Sequence, residues 1–98
     1  MNDRTPTAGP AEDARPRLPK GVRLRHDQAR GEWLLLAPER VLKADATAVE
    51  ILKRCTGERT VGDIVDDLAS VYSADRARIA ADVRTLLAEL AAKRMLDL

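Results

Sequence analysis

The chain has 98 residues, 45% hydrophobic and only 2% aromatic, with a formal net charge of +1. That length supports one domain with one modest core, and a near-neutral charge argues against a bulk polyanion as partner. No apolar run is long enough to cross a bilayer. The N-terminus lacks the charged, apolar and small-residue succession of a secretory signal.

Cys55 is the only cysteine and His26 the only histidine. A lone cysteine forms no internal disulfide, which fits a reducing, cytoplasmic compartment, and Cys55 is expected to serve as a small core hydrophobe. One Cys and one His do not make a metal shell. The five glycines are scattered rather than gathered into a phosphate cradle. Asp66 and Asp67 are adjacent, so on a helix they diverge by about 100°. No nucleophile, base and orienting group stand out together. The expectation is therefore a protein that is not an enzyme and needs no cofactor. Trp33 and Tyr72 are the only aromatic residues, too few for a base-stacking platform.

Residues 1–19 carry four of the five prolines and, apart from Met1 and Leu18, no apolar residue larger than alanine. Such a segment buries too little surface to offset its chain entropy, so residues 1–19 are predicted to be a disordered arm and 20–98 the folded domain. Val22-Arg23-Leu24-Arg25-His26 alternates with period two, predicting a half-buried strand with Val22, Leu24 and a partly buried His26 inward. Gln28 to Gly31 is a turn in which Gly31 supplies a positive φ. Glu32 to Ala37 is a second strand, apolar enough to suggest cover on both faces. Pro38 ends it, and Arg40-Val41-Leu42-Lys43 is a short third strand with one edge open.

Asp45 is placed to cap a first helix carrying Ala48, Ile51, Leu52 and Cys55 at helical spacing. Gly57 stands where a left-handed residue closes it. Thr60 and Asp63 resemble a capping box. Behind them Val61, Ile64, Val65, Leu68 and Tyr72 form the apolar stripe of a second helix. Asp75 caps a third helix with Ile79, Val83, Leu86, Leu87 and Leu90 on one face, running to about Lys93, after which Met95 to Leu98 trail off. The expected fold is α+β and winged helix-turn-helix-like, a three-stranded antiparallel sheet followed by three α-helices.

The remaining chemistry is main-chain hydrogen bonding at the open edge of the third strand. Beside it, the flank of the third helix bearing Ala80, Leu87 and Ala91, bordered by Arg76 and Arg84, offers small residues where another backbone fits. The opposite flank, with Asp82, Glu89 and Lys93, looks solvated. A DNA-binding winged helix is the alternative, but the outward face of the third helix, Arg78, Asp82, Thr85, Glu89 and Lys93, mixes its signs where a recognition helix is basic. A structural docking domain is the other alternative.

Several motifs resemble one family in order and spacing. Val22 to Asp27 followed by Arg30 to Val41, Asp45 to Ala48 with Ile51, Leu52, Cys55 and Gly57, Ile64 to Leu68 with Tyr72, and Asp82-Val83 with Leu86, Leu87 and Leu90 are similar to the PqqD-type peptide chaperones of pyrroloquinoline quinone biosynthesis. The resemblance covers residues 16–98. Ala44 and Thr56 depart from it, where a leucine and an aspartate are usual. It implies a peptide recognition element that binds a ribosomally made, PqqA-type precursor peptide and presents it to a PqqE-type radical S-adenosylmethionine enzyme; from charge, aromatic content and hydropathy, neither nucleic acid nor membrane is expected as a partner. It also implies that the leader adds as a strand between the third strand and third helix. Carried onto this chain, Val41, Leu42 and Lys43 would pair with the peptide main chain, and Ala80, Arg84 and Leu87 would wall the groove.

Overall fold

A computed structural model describes residues 10–98. Three strands, β1 (Arg23–Asp27), β2 (Glu32–Ala37) and β3 (Arg40–Ala44), precede three helices, α1 (Ala46–Lys53), α2 (Val61–Tyr72) and α3 (Arg76–Ala92). The sheet is antiparallel in the order β1-β2-β3, as the sequence predicts.

Local chemistry sets most boundaries. The Asp27 carboxylate accepts from the Ala29 and Arg30 N–H groups across the first turn, and Gly31 takes φ +67°. Asp45 caps α1 by accepting from the Ala48 N–H at 2.8 Å. Thr60 and Asp63 form a full reciprocal capping box, both bonds at 3.0 Å. Asp75 caps α3. The end of α3 is closed without glycine. Arg94 adopts φ +60° while its N–H reaches the Ala91 carbonyl and that of Met95 reaches Leu90, the paired bonds of a Schellman turn.

The sheet packs one face on the helices. Leu24, Leu35 and Leu42 are cross-strand neighbours and join Ile51, Leu52, Ile64, Val65, Leu68, Val83 and Leu90 in one core. The other face carries Leu34, Leu36 and Val41, none of them in that core. Cover on both faces of β2 therefore does not occur; only Leu35 of this strand is buried. Three local expectations also change. His26 is exposed and lies against Trp33 with ring centroids 4.7 Å apart. Tyr72, at the last turn of α2, is 48% exposed rather than part of the stripe. Leu86 is only partly buried, whereas Leu87 beside it is fully buried.

The largest correction concerns the chain ends. Residues 1–9 of the predicted arm lie outside the described residues, but 10–19 are held against the domain. Pro16 is buried and Ala14 and Leu18 pack on the core. Val61 and Gly62 donate their N–H groups to the Ala14 and Glu12 carbonyls, at 2.8 and 2.9 Å. These are two of the orphan donors at the start of α2. Arg17 exchanges two 2.9 Å main-chain bonds with Asp97, and Gly57 donates to Pro16. Arg76 reaches both Glu12 carboxylate oxygens at 3.2 Å and holds that carboxyl below its ordinary range. Met95 and Leu96 do not trail off but are buried. The segment is poor in apolar residues, yet its backbone satisfies groups that the domain would otherwise leave unpaired.

Removing residues 1–19 is thus expected to lower the melting temperature by at least about 5 °C, the consequence of losing roughly 1 kcal/mol or more in a domain of this size, measured by circular dichroism. Cys55, buried with its Sγ donating to the Ile51 carbonyl at 3.3 Å, has its thiol pushed up to about 12 by burial. An acid whose folded value is raised keeps its proton in the folded chain after the unfolded chain has lost it, so stability falls as pH rises from about 9 towards 12. By pH 10.5 the parent should lose about 1–2 kcal/mol more than Cys55→Val, measured by urea melts of both at pH 8 and 10.5.

Candidate functional site

The site begins with a turn. Pro38 and Glu39 are the whole connection between β2 and β3, and Ala37 pairs with Arg40 across it. A two-residue hairpin loop is closed by a pair exchanging both main-chain bonds, and such pairs alternate with non-bonded ones along an antiparallel ladder. The register Leu36↔Val41, Leu35↔Leu42, Leu34↔Lys43 therefore turns the N–H and C=O of Leu42 towards β2. Those of Val41 and Lys43 point away from the sheet. β3 has no second neighbour among the described residues.

Side chains alternate the other way. Val41, 61% exposed, and the exposed Lys43 lie on the outer face, where Lys43 Nζ sits 3.1 Å from Glu32. Leu42 points inward and lines a cleft between β3 and α3. The cleft has a volume of about 180 Å³, with Ala48 and Leu52 of α1 at its floor and Leu86, Glu89, Leu90 and Lys93 as the α3 wall. Its interior is aliphatic, and its charges, Lys43, Glu89 and Lys93, stand on exposed positions at the rim.

Of the six residues predicted from sequence, the structure brings Leu42 and Lys43 to this cleft, puts Val41 on the edge above it, and places Ala80, Arg84 and Leu87 elsewhere. Leu87 is fully buried in the core and Ala80 packs against it. Arg84 is half-buried, its Nε without an acceptor among the described residues, and close enough to Glu12 to help lower that carboxyl. This flank of α3 faces the side on which residues 12–14 cross the start of α2. The cleft beside β3 is lined by the other flank of α3, which carries Glu89 and Lys93. Leu86, a leucine among Asp82, Glu89 and Lys93, is the signal that marked it: a large apolar side chain in a charged flank needs a neighbour.

Cys55 takes no part, being buried behind α1. No cluster of three or more His, Cys, Asp or Glu among the described residues is placed to hold a metal. No helix of the described residues is long and apolar enough to cross a membrane.

The family described as coenzyme PQQ synthesis protein D (PqqD) matches residues 32–96. The chain belongs to the PqqD family. A PqqA binding protein of Rhodopseudomonas palustris (strain HaA2) is 52% identical over 86 residues, covering 88% of this chain and 84% of that protein. The bifunctional coenzyme PQQ synthesis protein C/D of Methylorubrum extorquens (strain ATCC 14718 / DSM 1338 / JCM 2805 / NCIMB 9133 / AM1) is 49% identical over 92 residues, covering 94% of this chain but only 24% of that longer protein. The solution NMR structure of the PqqD truncation of Methylobacterium extorquens PqqCD, described as a functional, stand-alone recognition element for ribosomally synthesized and post-translationally modified peptides, superposes with a TM-score of 0.80. It is 48% identical and covers 95% of this chain and 98% of that one. The crystal structure of PqqD from Xanthomonas campestris gives a TM-score of 0.59 at 42% identity, covering 90% and 98%.

The two adjacent leucines of α3 separate packing from site. Leu87→Ala is expected to cost about 2–5 kcal/mol of stability, as for other core leucines, and Leu86→Ala less than half of that, both measured by chemical denaturation.

Proposed function

We propose that the chain binds a PqqA-type precursor peptide as a fourth strand along β3 and presents it to a radical S-adenosylmethionine enzyme. The chain itself is a non-catalytic peptide carrier acting in the cytoplasm. One observation carries the reading: the outward main-chain groups of Val41 and Lys43, without a strand partner among the described residues, border an aliphatic cleft. An added strand receives hydrogen bonds from the edge, and every second side chain of it enters the cleft. The relatives named PqqA binding protein and the similar recognition element support a peptide as occupant.

The roles divide by chemistry. Val41 and Lys43 supply backbone groups, so their side chains are replaceable. Leu42, Leu86 and Leu90 supply apolar surface, so their shape matters. Leu42 keeps its own N–H in the β2 ladder and is not a main-chain pairing residue. Glu89 and Lys93 stand at the rim, where charges choose among partners more than they add affinity.

Titration of isotope-labelled protein with a synthetic peptide of the Methylorubrum extorquens PqqA sequence tests this. Amide shifts are expected to concentrate on β3 and the 86–93 face of α3. Val41→Pro removes an N–H from the open edge without removing a β2 bond. It should weaken binding at least about tenfold, or roughly 1.4 kcal/mol, while the melting temperature changes by only a few degrees. Leu86→Glu should do the same by filling the cleft with a charge. Shifts confined to α2 or to the 10–19 segment, with both variants binding normally, would overturn strand addition at β3.

A further inference from the structure

A second, wider hollow adjoins the cleft. It has a volume of about 660 Å³ and opens where β3 ends, between the sheet, α1 and the last turn of α2. Trp33, Val49 and Tyr72 give it aromatic and aliphatic walls. Its cations are already matched, Lys43 with Glu32 at 3.1 Å and Lys53 with Glu50 at 3.5 Å. The Lys53 ammonium also sits 5.2 Å from the centre of the Trp33 ring. Asp45 caps α1, so each charged side chain lining the hollow already has a partner within the protein. The hollow offers ring faces rather than a charge.

The hollow and the cleft meet at Lys43 and Ala44, which line both. Ala44 is the inward-pointing residue after Leu42 on β3, and its cross-strand partner is Trp33. Strands lie about 4.8 Å apart, so a side chain on a strand added beside β3, opposite Ala44, is two strand spacings from the Trp33 backbone. On this face of β3 the side chain paired with Trp33 is the Ala44 methyl group. A long or aromatic side chain reaches over that methyl to the indole, where a bulkier residue at 44 would block it.

We infer that this hollow is a second subsite of the same peptide-binding edge, taking an uncharged aromatic or large aliphatic side chain of the bound peptide against Trp33 and Tyr72. The inference rests on strand addition at β3. The leader is then held at two inward points two residues apart, the first in the cleft opposite Leu42 and the second opposite Ala44. Tyr72, 48% exposed, acquires a role as the outer wall of the second.

Trp33 is the only tryptophan, so protein grown with 5-fluorotryptophan gives one fluorine resonance, and tryptophan in the peptide stays silent. Titration with the synthetic Methylorubrum extorquens PqqA peptide should move or broaden this resonance with the same saturation curve as the Val41 and Lys43 amides. Ala44→Phe should raise the dissociation constant at least about tenfold and Tyr72→Ala about threefold, with fold retained by circular dichroism. If the Val41 and Lys43 amides saturate while the fluorine resonance stays still, or if both variants bind as the parent does, the second subsite is wrong and strand addition stands. If neither the amides nor the fluorine resonance respond, strand addition itself fails and the subsite with it.

Discussion

A two-residue turn governs the site. With Pro38 and Glu39 as the whole connection, Ala37 must face Arg40, and every later pairing follows by alternation. The same register sends Leu35 and Leu42 into the core and Val41 and Lys43 outward. It also leaves the main-chain groups of Val41 and Lys43 without a strand partner among the described residues. A slip of one residue would exchange the two sets. It would place Lys43 over the core, turn the Leu42 side chain to water, and remove the apolar lip of the cleft. One constraint therefore fixes both the stability of the sheet and the chemistry of its edge. Proline suits the first turn position because its φ is preset and no ladder N–H is needed there.

The helices form the rest of the cleft by what they leave uncovered. α3 packs on α2 through Val83 and Leu87, and its start is tied by Arg76 to Asp66 of α2 and to Glu12. Arg54 joins α1 to α2 through a 2.6 Å bond to Asp67. With α3 held from that side, its Leu86 and Leu90 edge faces β3 across a gap rather than against it. The terminal segments reinforce the arrangement, since Arg17 and Asp97 pair and bring residues 14–18 beneath the helices. Firm packing on one side of α3 is what keeps a space on the other.

Much of this was legible because local chemistry decided it. Strand order, the capping residues Asp45, Thr60 and Asp75, the left-handed Gly31 and the open third strand all depend on residues close in sequence. The failures share a cause of the opposite kind. The apolar stripe of α3 has five residues, and helical spacing alone does not say which neighbour covers which flank, so it does not separate Leu87, buried in the core, from Leu86, which lines the cleft. The neighbour that decides, residues 12–14, comes from the far end of the chain. That segment was hidden in turn because it stabilises through backbone bonds to Val61, Gly62 and Asp97, which composition does not register. The tilt of His26 against Trp33 is a similar cross-strand effect. Each residue looked ordinary in its own strand.

An exposed edge is also a hazard, because any strand can pair with it. β3 manages this with length and charge. It has five residues, and Arg40 and Lys43 are both exposed on it, so a second copy of the same edge would bring like charges together. A peptide avoids that penalty if it brings different side chains. Under the proposed strand addition, its main chain would satisfy the outward groups of Val41 and Lys43 whatever its sequence. Selection would then fall to the cleft, where burying an aliphatic side chain of leucine size is worth roughly 1.5–3 kcal/mol and a charged one would be desolvated without a matched partner. In the proposed complex, backbone pairing would supply affinity that is nearly blind to sequence, and the apolar wall of Leu42, Leu86 and Leu90 would supply the discrimination, which is the division of labour that a carrier of one particular peptide requires.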